Sequence, residues 1–428
     1  MILRPSPERN RIRFQRVASA LFILAALTAL SGPSLAADER AVSGGPCDWP
    51  QYRGPDRNGT SGETGWNWQW ATNGPTVLWR ASVGKGFSSF AAVGKRVYTM
   101  GNAEDSDTVF CLEADTGKPV WRHSYPCELQ PLSYEGGPSS TPTVEGGRVF
   151  TFSKSGDLYC LDAETGKELW KRKFEPWPYQ EGEWRNTWRY PGSPLVMGPH
   201  LFMSIGQAGM QLNKSTGETL WESAAAHPGY SSPVPFPGSN GPALAFFSGR
   251  AVHGVEALSG RELWRVPWKT LWDLNGADPI VAGGKMFVSS GNGVGCALFD
   301  LSATPPRELW RNKNLKNLMN SSVLWKGLLF GFNDTDLACV AWDTGEEKWR
   351  TRELRKGSLI LAGGKLLLLS ETGKLVVAEP SGESFQPLAE AQVLTGRCWT
   401  SPVLSRGRIY VRNALGEVVC LDARTPNR

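Results

Sequence analysis

The residues whose types and spacing could do chemistry sit in long connecting stretches of this chain. Tyr134 and Glu135 fall within Arg122–Pro138, and Trp177, Trp184, Trp188, Arg189 and Tyr190 within Lys171–Pro191. Trp268, Trp272, Asp273 and Asn275 occupy Arg265–Gly276, while Arg397 and Trp399 belong to Gly396-Arg397-Cys398-Trp399. Asp278 and Asn320 stand at or next to the heads of short strands. Aromatic faces offer stacking surface, Arg and Asp offer charge, and Asn offers a paired donor and acceptor. That set suits a planar polar ligand or an extended peptide. The structural alternative is that these loops only pack on one another and on Trp66, Trp68 and Trp70, since loop aromatics also serve as lids.

Other patterns exclude more than they offer. The four histidines (123, 200, 227 and 253) are scattered and give no zinc spacing. No serine stands in a Gly-x-Ser-x-Gly elbow. Gly291-Asn292-Gly293-Val294-Gly295 joins two strands with no helix after it, so it reads as a turn and not a dinucleotide loop. Asp105-Ser106-Asp107 and Asp334-Thr335-Asp336 lack the downstream Glu of a calcium loop. The expectation is no catalytic residue and no metal ligand set. Of the eight cysteines, Cys111, Cys160, Cys339 and Cys420 recur at one position of four repeats, as small buried hydrophobes. Cys47, Cys127, Cys296 and Cys398 fall outside that register, and a bridge among them has no assignable pairing.

The elements that position these residues come from a repeat, clearest in Leu158–Trp170. It reads as strand, tight turn from Asp162 to Gly166, and strand closed by Trp170. Cys111–Trp121 and Cys339–Trp349 are imperfect copies, and Gly217 to Trp221 and Gly260 to Trp264 keep the step from turn glycine to tryptophan. The closing tryptophans Trp79, Trp121, Trp170, Trp221, Trp264, Trp310 and Trp349 lie 39 to 51 residues apart. A strand-rich repeat of that length is a β-propeller blade.

In the second blade Ser139–Val144 reads as the innermost strand, Arg148–Phe152 as the second, and Leu158–Leu161 and Glu168–Lys171 as the outer two. Inner strands opening near residues 88, 139, 192, 231, 277, 320, 357 and 400 make eight blades. The last lacks an outer strand, and Thr76–Arg80 is an outer strand without a blade. Their pairing closes the ring and hides two sheet edges. The seventh blade is the weakest copy, with Phe385 and Leu388 where the tryptophan should stand. Loops from an outer strand to the next inner strand all emerge on one face, which places the candidate residues around one channel mouth.

Ahead of the ring, residues 1–36 read as a secretory signal peptide. It has five arginines, an apolar run Ala18–Leu30, and a cleavage site at Ser34-Leu35-Ala36. The apolar run of 13 residues is too short to span a bilayer. Cleavage removes five Arg and one Glu and lowers the net charge from +5 to +1, so nothing in the charge balance points to nucleic acid. A polar, irregular lead-in spans 37–75, and the propeller 76–424. The expected product is periplasmic or secreted, monomeric, and free of any integral membrane segment.

The repeat Ala-x-(Asp)-Thr-Gly-x-x-x-Trp resembles the tryptophan-docking motif of the pyrroloquinoline quinone (PQQ) repeat propellers, over Thr76–Asp422. That superfamily includes eight-bladed quinoprotein alcohol dehydrogenases and the outer-membrane assembly factor BamB. Asp48–Gly54 also looks like the Trp-Pro-Gln-aromatic-Arg-Gly opening of exported PQQ-like proteins. The resemblance implies seven indoles that staple neighbouring blades. For the dehydrogenases it further implies PQQ, Ca²⁺, an aspartate base and a vicinal disulfide, and this chain has no Cys-Cys pair. The expectation is a non-catalytic binding or scaffold module with a protein or peptide partner. The alternative is a quinoprotein dehydrogenase of alcohols or sugars with a diverged site. That reading needs Asp278, Asn320 and Arg397 to converge on one cavity over an aromatic floor such as Trp399.

Overall fold

The computed structural model describes residue 45 and residues 47–70, 73–131, 134–175 and 189–425. The signal-peptide reading of 1–36 lies outside the described residues. Among the described residues eight sheets each hold an antiparallel set of four strands, and the seventh gains a short fifth strand, Thr60–Ser61, in parallel pairing. Blade 2 shows the unit, with strands Thr143–Glu145, Arg148–Phe152, Asp157–Asp162 and Glu168–Lys173. Inner and second strands are apolar on both faces because each sheet is covered on both sides by its neighbours. Outer strands such as Glu168–Lys173 alternate exposed and half-buried residues.

Closure occurs as the sequence predicts. Val77–Ser82 pairs antiparallel with Glu417–Asp422, Trp79 lying opposite Cys420. The same small-against-large pairing recurs at Cys111 and Trp121, Cys160 and Trp170, and Cys339 and Trp349. A cysteine leaves room for the indole to fold over its own strand, which explains the repeated position. All eight cysteines are free thiols. Buried Arg412 of blade 8 adds a polar clamp to the closing seam, donating to the carbonyls of Ser88 (3.1 Å), Met100 (2.6 Å) and Gly84 (3.0 Å) of the blade 1 region.

Six docking indoles donate to a carbonyl near the following blade's turn, for example Trp79 Nε1 to Ala114 O at 2.9 Å and Trp121 Nε1 to Ala163 O at 3.0 Å. For five of the six the turn glycine lies under that ring; after Trp349 the turn glycine, Gly382, meets Leu328 instead. Gly166 has φ +72, and a Cβ there would stand 2.5 Å from the Trp121 ring. Trp264 is the exception, since the next blade's turn, Leu301–Pro306, has no glycine. In blade 7 the position equivalent to the tryptophan is Ala389, opposite Val377, and neither Phe385 nor Leu388. The lead-in makes good the lost volume: Trp66 shares a hydrophobic cluster with blades 7 and 8, and Trp68, Trp70 and Ala389 pack against it. Trp66 Nε1 donates to Ala362 O at 3.2 Å.

Regular inner strands begin later than the sequence predicts, at Ala91, Thr143, Leu195, Val234, Ile280, Val323 and Val403; only Gly357 starts where expected. The residues just ahead of them are bonded to the next blade instead. Ser89 N donates to Thr141 Oγ1 (3.1 Å), Thr141 N to Ser193 Oγ (2.9 Å) and Ser193 N to Ser232 Oγ (3.0 Å). Ser232 N then donates to Asp278 Oδ1 (2.8 Å) and Asp278 N to Ser321 Oγ (2.8 Å). This belt around the channel satisfies backbone donors that no sheet neighbour reaches.

Candidate functional site

Two ends of the channel differ. At the end bearing the inner hairpins, the lead-in crosses the opening. Trp49 and Ala92 exchange backbone bonds (2.8 and 2.7 Å), Val144 N donates to Pro50 O (2.8 Å), and Thr60–Ser61 pairs parallel with Leu361–Ala362. Two buried arginines span the width. Arg57 donates to Pro194 O (2.8 Å) and Ser193 O (3.2 Å) of blade 3, and Arg53 to Ser322 O (2.8 Å) of blade 6. Trp66 lies at this end, so the described loop aromatics of the opposite face do not pack on it. That expectation is corrected.

The other end is a cup of about 360 Å³ floored by Tyr52 and Asp278. Phe87, Tyr134, Tyr230, Trp272 and Trp399 supply aromatic wall, with Leu274, Leu318 and Met319. Phe87 stacks on Trp399 (centroids 5.7 Å, 28°) and meets Tyr134 edge-on at 5.2 Å. Trp399 is held by cations: Lys356 Nζ lies 4.5 Å and the Arg397 guanidinium 4.4 Å from its ring centroid. Its Nε1 donates to Glu371 Oε2 at 3.3 Å.

Of the residues picked from the sequence, Tyr134, Trp272, Asp278, Asn320 and Trp399 line this cup together. Asn275 does not. It is fully buried behind the wall, its Nδ2 donating to Ser248 O (2.9 Å) and Gly249 O (3.0 Å) while its Oδ1 accepts from Ser290 Oγ (2.8 Å). Its role is to fold the Arg265–Gly276 loop. Arg397 stands behind Trp399 and spends its charge on Glu135, 2.7 Å away. Arg189 has φ +53 and donates to Ser155 Oγ at 3.2 Å, apart from the cup lining. Trp177, Trp184 and Trp188 lie outside the described residues. Sequence reasoning missed Phe87, Tyr230 and Lys356, and above all Tyr52 with its arginines. The aromatic-Arg pair in the lead-in was the available signal.

The cup's ionisable groups are shaped by burial and by one another. Burial raises the Asp278 carboxyl above its ordinary value, against the pull of Arg53 and Arg57. Burial likewise lowers Arg57 to about 10, and burial beside Asp278 lifts Tyr52 to about 12. Both stay in their usual forms at neutral pH. Lys356 pairs with Asp334 at 3.3 Å. A Ca²⁺ ion needs six to eight oxygen ligands. Among the described lining residues Asp278 is the only carboxylate, its Oδ1 bonded to Ser232 N and its buried Oδ2 without a partner in the protein, so one free oxygen stands where a cation needs six to eight. Among the described residues no group of three or more His, Cys, Asp or Glu is placed to hold a metal. Arg397 also fails to reach the cup. The described residues therefore do not fit a Ca²⁺–quinone pair.

Comparison with known proteins gives the fold's relatives. The sequence family described as outer membrane protein assembly factor BamB matches residues 58–130, 128–351 and 248–428. No curated protein sequence matches. Among solved structures, BamB from Moraxella catarrhalis superposes with TM-score 0.60 at 16% identity, over 82% of this chain and 98% of that one. Quinohemoprotein alcohol dehydrogenase from Comamonas testosteroni gives TM-score 0.65 at 14% identity, over 89% and 81%. The computationally designed Ika8 protein gives 0.59 at 12%, over 81% and 99%. A designed ring shares this architecture with an assembly factor and an oxidoreductase, so likeness at this identity carries fold and not activity.

Proposed function

The chain belongs to the PQQ-repeat propeller family described as outer membrane protein assembly factor BamB, and from that premise we propose that it is an exported, non-catalytic binding module whose partner enters the aromatic cup. The observation that carries this reading is the blind end. Tyr52, Arg53 and Arg57 close the channel from beneath and leave one mouth, walled by aromatic rings and rimmed by ion pairs. A concave apolar centre inside a polar rim is the anatomy of a binding hot spot. The partner is a protein or peptide, and Leu271 (54% exposed) and Trp272 (40% exposed) extend the apolar surface beyond the cup. Among the described residues no helix is long and apolar enough to cross a membrane. The reading of residues 1–36 as a secretory signal peptide is what supports export.

Two exposed leucines on opposite faces allow a matched test. A photo-crosslinking residue at Leu271 reports the cup face, and one at Leu258 (61% exposed), in the docking turn of blade 4, reports the other face. The reading expects a discrete adduct from position 271 in producing cells and none from 258. Adducts from 258 alone would sink it.

A further inference from the structure

Resting on that reading of the cup, we propose that its floor recognises one aromatic side chain of the partner that ends in a neutral hydrogen-bond donor, a tyrosine or tryptophan, through the second oxygen of Asp278. The geometry begins with the belt of cross-blade bonds around the channel. Its acceptors are hydroxyls at Thr141, Ser193, Ser232 and Ser321, and among these links only blade 5 supplies a carboxylate, at Asp278. Each link needs one acceptor, and a serine provides it in blades 3, 4 and 6. Asp278 Oδ1 meets that need by accepting from Ser232 N at 2.8 Å. Its Oδ2 is surplus to the belt.

That second oxygen is buried and has no partner in the protein, on a residue that is 5% exposed and borders the cup. The structural alternative is a counter-charge for Arg53 and Arg57. Both arginines act on the carboxylate through space. Their hydrogen bonds, however, go to backbone carbonyls and to Gln51, and none reaches Oδ2. A buried anionic oxygen left unpaired is costly, so the position favours an occupant that donates to it.

Charge and shape narrow the donor. An ammonium or guanidinium entering the floor meets Arg53 and Arg57 beneath the carboxylate and Lys356 on the wall. An anion meets the carboxylate itself. A neutral O–H or N–H escapes both penalties. The walls choose the body that carries it, because Phe87, Tyr134 and Trp399 form a connected set of rings and Trp272 shares the lining. A volume of about 360 Å³ is at the small end of ligand cavities and takes one large side chain, not a folded segment. Tyrosine and tryptophan join an aromatic body to one polar tip and are frequent anchors of protein interfaces. Phenylalanine has the body without the tip and would leave Oδ2 stranded.

The test titrates the purified protein with the N-acetyl amides of Tyr, Trp, Phe and Lys at about pH 7.5, above the usual carboxylate range. The indole N–H signals of Trp272 and Trp399 are the readout. A hydrogen bond to a charged acceptor is worth about tenfold to a hundredfold in affinity, so the Tyr or Trp amide is expected to bind at least about tenfold more tightly than the Phe amide. Asp278→Ser keeps the acceptor that blades 3, 4 and 6 use and removes Oδ2. It is expected to cut that advantage to within about twofold while the Phe amide binds as before. Equal binding of the Tyr, Trp and Phe amides to the wild-type protein overturns the proposal, whether or not the variant folds. So does a preference for the Lys amide, an advantage that survives Asp278→Ser, or a panel in which nothing binds. No cellular partner enters this measurement. A discrete adduct from position 271 would still mark the cup face as the docking surface, so the anchor and the docking face fail separately.

Discussion

The two ends of the channel are built from the same eight inner strands and put to opposite uses. At the sealed end every strong group is consumed: Arg53 and Arg57 reach from the lead-in to carbonyls on blades 6 and 3, and docking turns fold over indoles. At the open end the rings are stacked and braced by cations, yet their faces still border 360 Å³ of space. The contrast teaches where this fold stores stability and where it leaves surface for a partner.

Substitutions can break or sharpen that contrast. The largest loss is expected for Arg57→Ala, which strands the Ser193 and Pro194 carbonyls in a buried site and leaves Asp278 with one arginine. About 3 to 5 kcal/mol should vanish from the unfolding free energy in chemical denaturation. Gly166→Ala, also on the sealed face, combines a left-handed φ with a Cβ driven into the Trp121 ring. It should cost about 2 to 4 kcal/mol by the same measurement. At the open end Trp399→Ala removes one stack and two cation contacts at a half-buried site, for about 1 to 2 kcal/mol. Trp272→Ala, on a 40% exposed ring, should stay within about 1 kcal/mol while weakening crosslinks from position 271. If the open-end variants proved as costly as Arg57→Ala, the cup would be core and not binding surface.

Much of the sealed architecture was legible in the sequence because its signals are local. A glycine four residues before a tryptophan names a docking turn, and an orphan strand at Thr76–Arg80 answers a blade with one strand missing. The blade 7 slot was harder. It carries the same bulge as the other blades, but Ala389 holds the tryptophan position with no indole to mark it, and the compensating indoles come from Trp66–Trp70, far away in sequence. The cup was legible in part. Loop direction brought Tyr134, Trp272 and Trp399 to one mouth, but direction alone cannot separate a side chain that lines a cavity from one that ties its own loop, as Asn275 does. Tyr52, Arg53 and Arg57 escaped notice as a floor because their partners lie 136 to 269 residues further along the chain.

The central claim is that the cup binds a partner without a quinone cofactor. Titrating the purified protein with PQQ and Ca²⁺, while following tryptophan fluorescence and quinone absorbance, tests it most directly, because Trp399 and Trp272 border the space a quinone would occupy. The account predicts no saturable, Ca²⁺-dependent change even at high quinone. Saturable binding that requires Ca²⁺ and is lost in Trp399→Ala would contradict it and make the dehydrogenase reading the better one.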